Sequence, residues 1–170
     1  NALDLFKIEY EREKISMNTF VYGLGDALYI NLTNRCTNKC SFCIRDETSG
    51  IGGYNLWLDR EPTAEEIIDC MGGVRRYSEV IFCGYGEPTI KRVELIGVAK
   101  AVKSQGGKTR INTNGQANLY HGENIVPRLE GLIDTISISL NAPTASEYQK
   151  TCQSEYGEES FYGVLEFAKA

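Results

Sequence analysis

Apolar and polar positions follow two alternating periods along this chain. Ala27–Leu32 is an apolar run broken only by Asn31 and predicts a strand. Glu79–Cys83, Lys108–Asn112 and Asp134–Leu140 predict three more. Between them the period lengthens to that of helices. Thr63, with Pro62 before it and Glu66 three residues on, has the spacing of a capping box. From Ile90 to about Ser104 a second helix places Val93, Ile96, Val98, Ala99 and Val102 on its apolar side, and Gly106-Gly107 ends it. A loop and helix follow around Asn118–Gly131, Thr144 and Glu147 repeat the capping spacing, and helical patterning resumes over Glu158–Ala170. Strand followed by helix four times predicts an α/β fold with a parallel sheet and right-handed crossovers, a partial βα barrel of about four units.

The ends of the chain read differently. Asn1–Ser16 is charged and loosely amphipathic, with Leu3, Phe6 and Tyr10 on one side, and is expected to be an extension ahead of a domain over 17–170. Leu165–Ala170 stops inside a helical pattern without a cap, so the last strands of a barrel are expected to be missing from this chain.

Polar residues interrupt the strands. Ser137 and Ser139 alternate with Ile136, Ile138 and Leu140, Arg110 and Asn112 alternate with Thr109 and Ile111, and Asn31 lies between Ile30 and Leu32. This fits a barrel whose interior holds a polar ligand, or an open sheet with one solvated face.

Composition narrows the function. The chain has 170 residues, enough for one domain with a real core. Hydrophobic content of 42% and charged content of 24% exclude bulk disorder. No apolar run approaches the roughly 18 residues of a membrane span. A net charge of −5 argues against non-specific nucleic-acid binding. A single histidine, His121, weakens His-rich zinc sites and most triad hydrolases. Six cysteines without a secretory leader predict reduced thiols and a cytoplasmic protein.

In parallel α/β folds, ligand chemistry gathers at the C-terminal ends of the strands. The unusual segments all fall there: Thr33–Cys43, Gly84-Tyr85-Gly86-Glu87-Pro88, Thr113-Asn114-Gly115-Gln116 and Asn141-Ala142-Pro143. Cys36, Cys40 and Cys43 have CxxxCxxC spacing. Three soft thiolates on one loop suit zinc or an iron–sulfur cluster. Structural zinc prefers four ligands, usually in two separated pairs. A four-iron cluster held by three thiolates leaves one iron open to a small molecule. Arg35 and Lys39 add positive charge beside the thiols.

CxxxCxxC with Phe42 before the third cysteine resembles the signature of the radical S-adenosylmethionine (SAM) proteins. The resemblance implies a 4Fe-4S cluster on the three cysteines and SAM chelated to the open iron. Reductive cleavage would then yield a 5′-deoxyadenosyl radical that abstracts hydrogen from a substrate. Gly84–Pro88 resembles the Gly-Gly-Glu-Pro segment that holds the SAM amino group, with Tyr85 between the glycines as a departure. There, glycines would let carbonyls approach an ammonium and Glu87 would complement its charge. Phe42 is implied near the adenine. Thr113, Asn114, Ser139 and Asn141 are implied at the ribose or carboxylate, with Ser137 a weaker candidate. Tyr29–Cys36, Leu56–Leu58, Phe82–Pro88, Arg110–Leu119 and Ser137–Pro143 are most similar to the TatD-associated radical SAM proteins, named for their association with TatD-type hydrolases. The partners implied are a small-molecule substrate, an electron donor such as flavodoxin or ferredoxin, and a TatD-type hydrolase. Two other functions fit: a metal-binding module that docks on such a hydrolase without turnover, and an activase that makes a glycyl radical on a protein.

Other residues read as structural. Cys70 and Cys83 are expected in the core, and Cys152 is counted with them as packing. His121 is expected to make a structural hydrogen bond. Arg75-Arg76 reads as a solvated helix end. Asp46–Asp59 is long for a βα loop; it either covers the cysteines or lines a binding surface, or is a packed loop anchored by Trp57.

Overall fold

The computed structural model describes residues 18–47 and 50–170; the expected extension over Asn1–Ser16 lies outside them. Five strands form one sheet in chain order. β1 (Val21–Leu24) runs antiparallel to β2 (Ala27–Ile30) across a two-residue turn, where Gly25 takes φ +59°. β2, β3 (Val80–Phe82), β4 (Thr109–Thr113) and β5 (Thr135–Ile138) are mutually parallel. The sheet does not close into a barrel. The β1 hairpin is an addition to the four strands read from the sequence, whose positions all hold.

Register divides the sheet into two faces. Leu28, Val80 and Thr109 form one row, and Ile30, Phe82, Ile111 and Ile136 form another two residues on. Strand alternation puts both rows on the same face. α1 (Ile44–Glu47) is a single turn beside the cysteines; the helices that cover this face are α2 (Ala64–Met71), with the full Thr63–Glu66 capping box, and α3 (Arg92–Ser104), which follows a 3₁₀ turn over Pro88–Lys91. Ile67, Met71, Leu95, Val98, Ala99 and Val102 pack with these strands in the main core. α4 (Ala117–His121), α5 (Val126–Leu129), α6 (Ala145–Cys152) and α7 (Glu159–Lys169) complete the chain. Within the expected α3 face, Val93 is a correction: it is 74% exposed. Leu95, Val98, Ala99 and Val102 set the buried side, and Val93 lies two residues before Leu95, about 200° around the helix.

The opposite face is polar. Tyr29, Ile81, Arg110 and Thr135 form its lower row. Arg110 donates to Glu79 at 2.9 Å and to Ser137 at 3.1 Å. Tyr22 stacks on Tyr29 with ring centroids 5.2 Å apart. Of the two arrangements the polar strand positions allowed, this one is the open sheet.

Three cysteine and loop expectations change. Cys70 is exposed, and Cys83 is half-buried beside Asn112 on the polar face. The loop after α1 is anchored by the fully buried Leu56, with Leu58 also inside, whereas Trp57 stays half-exposed against Tyr85. A strand-like alternation across Leu56–Leu58 turns the two leucines inward and the indole outward. His121 Nε2 donates a 2.8 Å hydrogen bond to the Thr89 carbonyl, the structural role expected of it.

Two glycines let the strand-end loops touch. A Cβ on Gly84 would lie 2.0 Å from Asn31 Oδ1. A Cβ on Gly86 would lie 2.3 Å from the Thr33 carbonyl oxygen and 2.5 Å from that of Arg35. Gly86→Ala must therefore push apart two backbones joined by the 2.8 Å Glu87 N–H to Arg35 C=O bond. Urea unfolding of Gly86→Ala should show a loss of about 1–3 kcal/mol. Gly73→Ala, with open space at its Cβ, should stay within about 0.5 kcal/mol of the parent.

Candidate metal centre

The cysteine loop leaves β2 through Asn31, Leu32 and Thr33, all buried. Asn31 Nδ2 donates to the carbonyls of Thr19 and Leu56, and Asn34 bridges the backbone of Leu58 through both side-chain atoms. Thr33 donates to Glu61 at 2.6 Å and accepts from the Arg35 amide at 2.9 Å. Arg35 and Lys91 both pair with Glu61. Burial opposes ionisation of Glu61, but hydrogen bonds from Arg35, Thr33 and Lys91 prevail and bring its pKa from 4.5 to about 2.

The loop then crosses a buried polar node. Gln116, 1% exposed, follows β4. Its Oε1 accepts from Thr37 at 2.8 Å and from Ser154 at 3.0 Å. Its Nε2 donates to Asn38 at 2.8 Å and to Tyr148 at 3.1 Å. All four hydrogen-bonding positions of the carboxamide are used. The next stretch pairs with the end of α6: Lys39 N–H donates to the Cys152 carbonyl and Ser41 N–H to that of Thr151, both at 3.0 Å. Gln153 makes this possible by taking a left-handed conformation, φ +48°, which ends α6 beside the loop.

Glu87 forms a second node. It is buried, and its carboxylate accepts from Thr89 N–H at 3.0 Å, Thr89 Oγ1 at 2.6 Å, Thr113 Oγ1 at 2.8 Å and Asn114 N–H at 2.7 Å. Burial still pushes its carboxyl above the usual range. Asn114, so fixed, donates from Nδ2 to Thr37 Oγ1 at 2.9 Å and stands 3.8 Å from Cys36 Sγ.

These restraints bring the three thiols to one cavity of about 360 Å³, lined by Cys36, Asn38, Cys40, Phe42, Cys43, Ile44, Asn114, Ser139 and Asn141. Of the residues implied by sequence, the structure gathers the three cysteines, Phe42, Asn114, Ser139 and Asn141 there. Phe42 is 49% exposed. Gly84, Tyr85, Gly86, Glu87, Pro88 and Thr113 are not in the lining. They form the layer that holds Asn114 and the cysteine loop. Tyr85 is buried with Tyr22 and Leu56.

The cavity's electrostatics also differ from expectation. Arg35 is spent on Glu61 and Lys39 is exposed. The cation whose charge favours the Cys36 thiolate is Arg45, the second residue of α1. Burial nevertheless raises Cys36, and burial beside Cys152 raises Cys40 to about 12. Both thiols are therefore protonated until a metal displaces the proton. Tyr148, Arg45 and Cys152 were absent from the sequence reading of the site, and Gln116 entered it only as the end of the Thr113–Gln116 segment, without a role. Only Gln116 had a signal, its place directly after Thr113-Asn114-Gly115.

Among the described residues, no three His, Cys, Asp or Glu side chains form a group able to hold one metal ion. A cubane asks for something else, because each thiolate binds a different iron. Three thiols facing one cavity, with the remaining wall free of acidic side chains, suit such a soft cluster.

A family model described as the radical SAM superfamily matches residues 30–170. This chain belongs to the radical SAM superfamily. It is also 28% identical over 139 residues to a Methanocaldococcus jannaschii protein named "Putative glycyl-radical enzyme activating enzyme", covering 81% of this chain and 48% of that one. The chain thus spans about half the length of the curated relative it matches. Superfamily membership implies a 4Fe-4S cluster and SAM, and the cavity's three thiols fit the cluster. Among the described residues, no helix is long and apolar enough to cross a membrane.

Two outcomes follow from this geometry. Gln116→Leu leaves Thr37, Asn38 and Ser154 with unpaired buried groups, so urea unfolding should report a loss of about 1–3 kcal/mol or more. Maleimide labelling of Cys36 should also quicken as the loop loosens. Glu61, with its folded pKa lowered, contributes stability that is complete above pH 4.5 and is lost as pH falls toward 2. Glu61→Gln should therefore unfold more easily at neutral pH and show a shallower loss of stability across that acid range.

Proposed function

We propose that this chain is the cofactor-binding part of a radical SAM enzyme. The observation that carries the reading is the shared cavity of Cys36, Cys40, Cys43, Asn114, Ser139 and Asn141. Cys36, Cys40 and Cys43 are the ligands of the 4Fe-4S cluster. When bound, the cluster and SAM supply a 5′-deoxyadenosyl radical that abstracts a hydrogen atom. Phe42 offers its exposed ring to the adenine. Asn114, Ser139 and Asn141 offer amide and hydroxyl groups to the ribose or carboxylate. Glu87 acts one layer back, holding the Asn114 backbone and Thr113, while the Gly84–Gly86 backbone keeps the two rim loops in contact. Flavodoxin or ferredoxin is the proposed electron donor.

The name of the Methanocaldococcus jannaschii relative favours a protein substrate, a glycine from which hydrogen is removed. Exposed Phe42, Ile44 and Leu140 give the rim apolar surface for such a partner. The second reading is a TatD-associated enzyme acting on a small molecule. It is supported by the Gly-Tyr-Gly-Glu-Pro and Arg110–Leu119 segments.

Anaerobic reconstitution of the full chain tests the common part. About four irons per chain and SAM-dependent release of 5′-deoxyadenosine under reducing conditions are expected. Both should be lost in Cys36→Ala, Cys40→Ala and Cys43→Ala. Stoichiometric zinc without iron uptake would overturn the reading. A glycyl-radical signal on an added partner protein would select the activase.

A further inference from the structure

Cys152 is the buried thiol that the proposed chemistry does not use. It is fully buried at the end of α6, in a cluster with Tyr148 and Val164 against which Cys40 packs. Its thiol is close enough to influence the ionisation of the Cys40 thiol. Asn141 Nδ2 stands 3.7 Å from Cys152 Sγ, so the buried sulfur has a polar neighbour as well. The backbones on either side are fastened: Lys39 N–H to Cys152 C=O and Ser41 N–H to Thr151 C=O flank Cys40, each at 3.0 Å. Such pairing holds facing segments at the separation of neighbouring strands, about 5 Å between Cα atoms, inside the range a disulfide requires. Cys40 is itself half-buried and lines the cavity, so a small oxidant can reach it.

We propose that Cys40 and Cys152 are a dithiol pair that closes to a disulfide when the cysteine loop is free of metal, withdrawing Cys40 from its ligand role. The disulfide stands on this geometry alone. Its effect on cluster loading rests on the function proposed above.

The chemistry balances with a peroxide as oxidant. Cys40 thiol reacts with hydrogen peroxide to give the sulfenic acid and one water. Cys152 sulfur then attacks the Cys40 sulfur, the S–O bond breaks, and the hydroxide leaves as a second water with the Cys152 proton. The two thiols lose two electrons, which the peroxide takes up. Because the backbone ties already hold the two residues together, closure needs little loop movement. A thiol donor reverses it. Cys40 is thereby kept from the irreversible sulfinic and sulfonic acids.

The full chain, prepared without iron, is treated with hydrogen peroxide, its remaining thiols are blocked with maleimide, and it is cut with trypsin. The expected product joins peptide 40–45 to peptide 151–169, and dithiothreitol removes it. The free-thiol count should fall by two from six. The link should persist in Cys43→Ser and Cys36→Ser and vanish in Cys40→Ser. A link inside peptide 40–45, or one from Cys36, in place of the expected product would overturn the proposal. The wild-type map decides this even if Cys152→Ser does not fold. Iron uptake reads the consequence. It should be lost after peroxide and restored by dithiothreitol in the wild type, whereas in Cys152→Ala or Cys152→Ser, which cannot resolve the Cys40 sulfenic acid, it should be lost and not restored. Recovery of uptake by dithiothreitol in the Cys152 variants as complete as in the wild type would overturn the protective role. A mapped Cys40–Cys152 link in a chain that takes no iron even when reduced would leave the pair standing and defeat the cluster reading instead.

Discussion

One buried carboxamide governs the geometry of the rim. Gln116 has two acceptor and two donor positions, and four different side chains fill them. Those partners come from the cysteine loop, from α6 and from the turn after it. A group so placed has no water to fall back on, so each bond lost leaves an unpaired polar atom. The network is satisfied as a whole, and that fixes one arrangement of the loop among many that a short, polar, glycine-poor segment could adopt. Everything proposed for the thiols depends on it.

Glu87 repeats the principle with a carboxylate. Its four donors belong to its own turn, to the end of β4 and to the loop after it. Between these nodes, Gly84 and Gly86 remove the Cβ atoms that would separate the loops. The sheet thus supplies strand ends in a row, and buried polar contacts set what stands on them. The cavity wall is made of loops, yet the loops are tied as firmly as strands.

The strand–helix order was legible because period and capping are local properties. Thr63 and Glu66 form the capping box that their spacing predicts. The cysteine trio was legible because its ligands are contiguous. Val93 was misplaced because a helix's buried side is set by its tertiary partners, here through Leu95 and Val98. Cys70, and Trp57 as the anchor of its loop, fail for the same reason: residue type suggests burial, but the phase of the helix for Cys70 and of the loop for Trp57 decides it. The long-range contacts were not legible. Nothing local in Cys152 announces that it meets Cys40, and Gln116 gives no hint of Tyr148, 32 residues away.

The burial of Glu87 has a consequence for how such chains are recognised. Its carboxylate is a clasp between two loops, turned away from the cavity and saturated by the protein itself. A Gly-x-Gly-Glu-Pro stretch therefore reports that the rim is assembled in this way. It would survive unchanged in a chain that had lost every group facing the ligand. The polar groups that do line the cavity beside the cysteines are less conspicuous ones, those of Asn114, Ser139 and Asn141. Under the function proposed above, those groups say more about cofactor use than the motif that catches the eye.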